Sequence, residues 1–183
     1  MKLNIPNILT LLRLVMIPVF VGLYYLPWKW SFLAAATLFV IASLTDALDG
    51  YLARRLNQST PFGAFLDPVV DKLMVATALV VLVADYDDGL LTFAAIVMIG
   101  REIVISALRE WMAEMGKRGI VAVSWLGKFK TAAQMIAITG LIAQFNPLAI
   151  EISFYLLYVA TFLTIWSMFS YIRAAWGDLT RHG

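Results

Sequence analysis

Six long apolar stretches constrain the fold of this chain more than any other feature. Each approaches the roughly 20 mostly apolar residues that an α-helix needs to cross a bilayer. Hydrophobic residues make up 62% of the 183 positions, whereas a soluble domain has about 45–50%. We therefore predict an all-α, polytopic membrane protein, a single integral membrane domain over residues 1–183. Its six transmembrane helices are predicted at about residues 8–26, 31–54, 62–84, 90–113, 125–145 and 149–174.

The charged residues predict the orientation of these helices. With six spans, both termini lie on the same side of the membrane. That side receives nearly all of the Lys and Arg residues, so the positive-inside rule makes it cytoplasmic. Lys29 alone falls on the opposite side, together with the acidic residues Asp85, Asp87 and Asp88. The chain has no cysteine, which excludes disulfides, thiolate metal sites and cysteine nucleophiles.

Four aspartates interrupt the second and third apolar stretches in the pattern D-x2-D-G-x2-A-R-x8-G-x3-D-x3-D. Asp46 and Asp49 are three residues apart, and Asp67 and Asp71 are four apart, so each pair shares one face of its helix. The short turn between the two helices makes them antiparallel neighbours. Because carboxylates in an apolar helix are costly, the spacing predicts a cage of four facing carboxylates near the cytoplasmic end.

Divalent cations would relieve the repulsion within such a cage. Oxygen ligands favour hard ions, Mg²⁺ or Mn²⁺, and four carboxylates suffice for the two ions of a phosphoryl-transfer site. Gly50, Ala53 and Gly63 leave room for a substrate group, and Arg54 can pair with a phosphate oxygen. Two alternatives are structural pairing of the aspartates with Lys or Arg and an ion pathway. A pathway would spread its carboxylates across the membrane, whereas these cluster at one end.

The motif resembles the signature of the CDP-alcohol phosphotransferase family at all eight fixed positions. Other segments resemble members of the family that use glycerol 3-phosphate. These segments are Pro6–Arg13, Arg101–Ile103, Arg109–Trp111 and Gly127–Thr131.

The resemblance implies a fold, a reaction and a set of site residues. The expected substrates are CDP-diacylglycerol and sn-glycerol 3-phosphate, the products phosphatidylglycerophosphate and CMP, and the enzyme a homodimer in the bacterial cytoplasmic membrane. Asp71 would also deprotonate the acceptor hydroxyl. The two ions would be bound by Asp46, Asp49, Asp67 and Asp71, and the CDP group by Asn7, Thr10, Gly50, Ala53, Arg54 and Gly63.

Several cations near the same membrane face are candidates for binding the acceptor phosphate. Arg101 lies well inside the fourth stretch, where a cation is costly. Its pairing with Glu102 is expected to be poor, because adjacent helical residues point about 100° apart. The predicted phosphate clamp consists of Arg101, Arg109, Lys128 and Lys130.

Two other functions stay open at this point. The first is a related transferase with a different acceptor, such as inositol phosphate, serine or phosphatidylglycerol. The second is a cation- or proton-coupled transporter, which would need carboxylates reaching across the bilayer.

Overall fold

The computed structural model is all-helical over the residues that it describes, 5–56, 61–114 and 125–179. It describes the side chains of residues 7–45, 63, 65–114 and 129–173. Six helices follow one another along the described residues, which confirms the predicted fold class. They are α1 (Ile5–Tyr25), α2 (Ser31–Leu56), α3 (Pro61–Tyr86), α4 (Gly89–Glu114), α5 (Trp125–Ala143) and α6 (Pro147–Leu179).

Three helices are long and apolar enough to cross a membrane, within the part of the chain that the structure describes. These segments are Asn7–Tyr25, Gly89–Glu114 and Pro147–Arg173. Among the residues with described side chains, α2 and α5 contribute the apolar segments Ser31–Thr45 and Phe129–Ala143. The chain is therefore a membrane protein, and the crossing of the bilayer by all six helices stays a prediction.

The turn between α5 and α6 depends on two residues with clear backbone roles. Gln144 adopts a φ of 47°, a left-handed conformation that ends a helix, so α5 stops at Ala143 and is slightly shorter than predicted. Asn146 then caps α6, because its Oδ1 accepts a hydrogen bond of 2.8 Å from the backbone amide of Ala149. Pro147 follows the cap, at the first helical position, where its missing N–H costs nothing.

One compact unit contains α1, α2, α3 up to Asp85, and residues 139–150. Within it, α1 packs against α2. The rings of Phe20 and Phe39 lie 6.2 Å apart, centroid to centroid, and both side chains are fully buried. Small residues allow helices in a membrane to approach closely. The buried small residues of α2 are Ala35, Ala36 and Ala42.

A polar contact joins the ends of α1, α3 and α5 in this unit. The hydroxyl of Tyr24 donates a 2.8 Å hydrogen bond to Oδ2 of Asp85. The side-chain amide of Gln144 donates to the same oxygen at 2.8 Å and to the Tyr24 hydroxyl at 3.2 Å. The sequence predicted only that Asp85 lies on the side opposite the aspartate motif, whereas the structure shows that it joins three helix ends.

We expect replacement of Tyr24 by Phe to lower the thermal unfolding midpoint by about 2–4 °C, the shift that about 1 kcal/mol causes in a chain of this size. The reason is the loss of one buried hydroxyl's hydrogen bond, worth about 0.5–1.5 kcal/mol. Thermal unfolding in detergent measures the effect. Tyr25→Phe is the matched control, because Tyr25 is 58% exposed. Equal midpoints for the two variants would contradict a stabilising role for this contact.

The other compact unit contains α4, α5 up to Ile138, and α6 from Glu151. Asp88 caps α4, since its Oδ1 accepts a 2.7 Å hydrogen bond from the backbone amide of Leu91. The hydroxyl of Tyr158, on α6, donates to the same oxygen at 3.5 Å. The first turn of α4 is therefore fixed to α6.

Candidate active site

The described half of the aspartate motif lies on α3. Asp67 and Asp71 are one helical turn apart, so their side chains project from the same face. Asp67 retains 33% side-chain exposure, Asp71 is exposed, and Gly63, one turn before Asp67, is buried. The face therefore presents two accessible carboxylates beside a position that has no side chain.

The other half of the motif lies on the backbone of α2. Asp46 and Asp49 belong to this helix, but their side chains lie outside what the structure describes. The predicted four-carboxylate cage therefore stays a prediction. The same holds for the other motif residues of α2, which are Gly50, Ala53 and Arg54.

The described carboxylates fit the chemistry of the predicted ions. Asp67 and Asp71 supply hard oxygen ligands, which suit Mg²⁺ or Mn²⁺. Among the described side chains there is no group of three or more His, Cys, Asp or Glu residues that could hold a metal ion. Two carboxylates are half of the predicted set, so a complete site needs the aspartates of α2.

A buried polar stripe on α1 accompanies the α3 carboxylates. Asn7, Thr10 and Arg13 are spaced three residues apart and are only 2%, 0% and 3% exposed. The hydroxyl of Thr10 donates a hydrogen bond to Oδ1 of Asp67. Nη2 of Arg13 lies 3.8 Å from the same oxygen. The stripe therefore brings α1 into contact with the motif.

The sequence predicted Asn7 and Thr10 as site residues but missed Arg13. The signal was present in the N-x2-T-x2-R spacing, which places polar residues on one face of an otherwise apolar helix. From the sequence, Arg13 is one of the cations near the predicted cytoplasmic side and the last residue of the Pro6–Arg13 segment, without a site role of its own. The structure adds it to the residues that contact Asp67.

A second group of charged residues lies in the other compact unit, on α4 and α5. Buried residues of α4 recur every seven positions, at Leu91, Met98, Ile105 and Met112. Between Met98 and Ile105, where a further apolar residue would continue the stripe, the sequence has Arg101 and Glu102. The apolar face of α4 is therefore interrupted by a charged pair.

We call Lys130 and the three charged side chains that interact with it electrostatically the basic cluster, which consists of Lys130, Arg101, Arg109 and Glu102. Lys130 is only 3% exposed and interacts electrostatically with the other three side chains. Three cations and one carboxylate give the basic cluster a formal charge of +2. The side chain of Lys128, the fourth predicted phosphate ligand, lies outside the described residues although its backbone belongs to α5.

Arg101 is held from two sides. Its Nη1 lies 2.5 Å from Oε1 of Glu102, and its guanidinium carbon lies 5.8 Å from the centroid of the Tyr171 ring, within the range of a cation–π contact. Its Nε is buried and has no hydrogen-bond partner in the described part of the chain. A buried donor in this condition is costly, and an anionic ligand could satisfy it.

The expectation that Arg101 and Glu102 pair poorly was wrong. It treated the two side chains as rigid vectors about 100° apart. A long, flexible Arg side chain can curve around the helix to reach the neighbouring carboxylate, and the partial burial of both groups favours pairing. Side-chain exposure of 11% for Arg101 and 34% for Glu102 agrees with this explanation.

Comparison with known proteins identifies close relatives. A family model described as CDP-alcohol phosphatidyltransferase matches residues 3–166. A CDP-diacylglycerol–glycerol-3-phosphate 3-phosphatidyltransferase of Sodalis glossinidius is 56% identical over 182 residues, covering 100% of both chains. Proteins of the same name from Yersinia pestis and Salmonella paratyphi A are 56% and 54% identical, and each alignment covers 98% of both chains.

Proposed function

The chain belongs to the CDP-alcohol phosphatidyltransferase family, and we propose that it transfers a phosphatidyl group from CDP-diacylglycerol to sn-glycerol 3-phosphate. The products are phosphatidylglycerophosphate and CMP, so the enzyme acts in the synthesis of anionic phospholipids. The observation that carries this conclusion is 56% identity, over the full length of both chains, to a relative named for this reaction.

The chemistry follows from the carboxylates of the motif. Asp71 takes the proton of the acceptor hydroxyl, whose oxygen then forms a bond to the phosphorus of the phosphatidyl group. The bond from that phosphorus to the CMP oxygen breaks, and CMP leaves. Divalent ions in this family of reactions neutralise the pyrophosphate and the departing phosphate. We assign the binding of two such ions, Mg²⁺ or Mn²⁺, to Asp46, Asp49, Asp67 and Asp71.

The donor site combines small residues and polar residues from three helices. Gly63 is buried one turn before Asp67, and Gly50 and Ala53 are the small residues of the α2 part of the motif. Small side chains allow a flat nucleotide to approach the backbone closely. We assign the CDP group to these three residues together with Asn7, Thr10 and Arg54.

The charge of the basic cluster supports a phosphate-bearing acceptor. Its formal charge of +2 complements a phosphate monoester, which carries about −1.5 to −2 at neutral pH. An uncharged alcohol would leave the net charge of +2 in the basic cluster without a compensating anion, which is unfavourable for buried charges. We therefore assign the acceptor phosphate to Arg101, Arg109, Lys128 and Lys130.

The location of the enzyme follows from its substrates and its charge distribution. The acyl chains of the donor stay in lipid, whereas glycerol 3-phosphate and CMP are water-soluble, so the site belongs at a membrane face. The distribution of Lys and Arg favours the cytoplasmic face. The proposal is a multi-pass protein of the bacterial inner membrane with both termini and the active site in the cytoplasm. A homodimer is the assembly that the family resemblance favours.

An acceptor panel tests this function. We expect the purified protein to release CMP from CDP-diacylglycerol only with glycerol 3-phosphate and Mg²⁺ or Mn²⁺. Serine should react at least about 100-fold more slowly, because a site built to pair with a phosphate discriminates strongly against an acceptor that lacks one. Inositol phosphate and phosphatidylglycerol carry a phosphate, so they test whether the site also selects the alcohol part of the acceptor. Chromatography of CMP and of the lipid product measures both halves of the reaction, and a sample with EDTA is the control.

Two results would contradict the proposal. Equal CMP release with another alcohol would identify a related transferase with a different acceptor. Ion flux into sealed vesicles without CDP-diacylglycerol, combined with no CMP release, would favour a transporter.

A further inference from the structure

The burial of Arg13 within α1 needs an explanation. The residue is 3% exposed and lies inside the membrane-spanning segment Asn7–Tyr25, where an arginine is costly unless it is paired. Its contact with Oδ1 of Asp67, on α3, provides such a pairing. An arginine that served only to mark the cytoplasmic side would lie at the helix end with its charge in water.

Thr10 contacts the same atom. Its fully buried hydroxyl donates a hydrogen bond to Oδ1 of Asp67, one helical turn before Arg13. Both α1 residues therefore contact the same oxygen of this carboxylate. The arrangement fixes the rotation of the carboxylate and leaves its second oxygen to be presented in a defined direction.

We propose that Thr10 and Arg13 are positioning residues that hold Asp67 through Oδ1, so that Oδ2 is oriented for a divalent cation. Groups that hydrogen-bond a metal-binding carboxylate set its orientation, and their loss typically lowers metal affinity by about 10–100-fold. This inference rests on the proposed metal site of the motif. It adds a role for Arg13 and a second role for Thr10, which we also propose to bind the CDP group of the donor.

Binding of Mn²⁺ in the absence of nucleotide tests the inference independently of turnover. We expect Thr10→Val, in the full-length protein in detergent, to raise the Kd for Mn²⁺ at least about 10-fold, as measured by electron paramagnetic resonance. Thr10→Ser keeps the hydroxyl and should bind Mn²⁺ with an affinity close to the wild-type value. If Thr10 contacted only the donor, its substitution would leave this nucleotide-free affinity unchanged.

The direction in which Arg13→Met changes the Kd for Mn²⁺ distinguishes a positioning role from simple charge balance. A positioning role predicts weaker Mn²⁺ binding, because Asp67 loses a contact that α1 provides. If Arg13 acted only as a counter-charge, its removal would take away a positive charge near the site and Mn²⁺ would bind more tightly. Arg13→Lys keeps the charge and should restore most of the affinity. Unchanged or tighter binding by Arg13→Met would overturn the role of Arg13.

Tyr24→Phe is a matched control, since it removes another hydrogen bond from an α1 side chain to an α3 aspartate. Tyr24 lies 14 residues beyond Thr10 in α1, about 21 Å along a helix with a rise of 1.5 Å per residue. We expect this variant to be less stable but to bind Mn²⁺ normally. If Arg13→Met does not fold, the Mn²⁺ affinity of Thr10→Val tests the positioning role, because this variant removes a hydroxyl without removing a charge.

Different results would contradict the proposed metal site and the proposed positioning role of Thr10 and Arg13. Absence of Mn²⁺ binding by the wild-type protein would contradict the proposed metal site itself. Normal binding by the wild type and by both Thr10→Val and Arg13→Met would overturn only the positioning inference.

Discussion

The Asp71→Asn variant is expected to release CMP at least about 10³-fold more slowly than the wild type, the range in which a general base contributes. The amide is nearly the same size as the carboxylate but cannot accept the proton of the acceptor hydroxyl. Because Asp71 is exposed on α3, the substitution should not disturb packing. Binding of CDP-diacylglycerol should therefore largely persist while turnover is lost.

Comparison with Asp67→Asn separates the role of base from that of metal ligand. An amide oxygen is a weaker ligand than a carboxylate, so both variants should need more Mn²⁺. Excess Mn²⁺ should restore much of the activity of Asp67→Asn, whose proposed role is binding, but not that of Asp71→Asn. Asp85→Asn, at the far end of the same helix, is the control for general effects on α3.

Full activity of Asp71→Asn would contradict the assignment of the base. Recovery of the variant by excess Mn²⁺ would leave Asp71 as a ligand and require a different proton acceptor. Initial rates of CMP release across a range of Mn²⁺ concentrations distinguish these outcomes.

The sequence predicted the helical architecture because the information for it is local. An apolar stretch of the right length predicts a helix, and turn-forming residues predict where it ends. Pro61 begins α3, close to the predicted start at about residue 62, and proline is favoured in the first helical turn. Helix α5 ends at Ala143, before the predicted boundary at about residue 145, since its end depends on the left-handed backbone of Gln144, a residue without a strong preference for that conformation.

The contacts that the sequence did not predict join residues far apart in the chain, or depend on side-chain flexibility. Thr10 and Asp67 are separated by 57 residues, and helical periodicity does not show which helix a polar stripe will face. Arg101 and Glu102, by contrast, are adjacent in the sequence. The expectation that they pair poorly was wrong because it neglected the flexibility of the arginine side chain.

The Lys130→Met variant is expected to raise the KM for glycerol 3-phosphate at least about 30-fold. Truncating one partner of a buried, hydrogen-bonded charge pair costs about 2–5 kcal/mol, and 2 kcal/mol corresponds to about 30-fold. Lys130 is 3% exposed, so water cannot replace the missing ammonium group easily. The KM for CDP-diacylglycerol should stay close to its wild-type value, because the basic cluster is assigned to the acceptor.

Two further variants give this prediction its specificity. Lys130→Arg keeps the positive charge and should retain more acceptor affinity than Lys130→Met. Arg173→Met removes an exposed cation from α6, on the side of the membrane where we place the active site, and should leave both KM values nearly unchanged. If Lys130→Met raised the KM for CDP-diacylglycerol instead, Lys130 would belong to the donor site. The phosphate of the acceptor would then need other ligands, and the +2 charge of the basic cluster would no longer explain the choice of glycerol 3-phosphate.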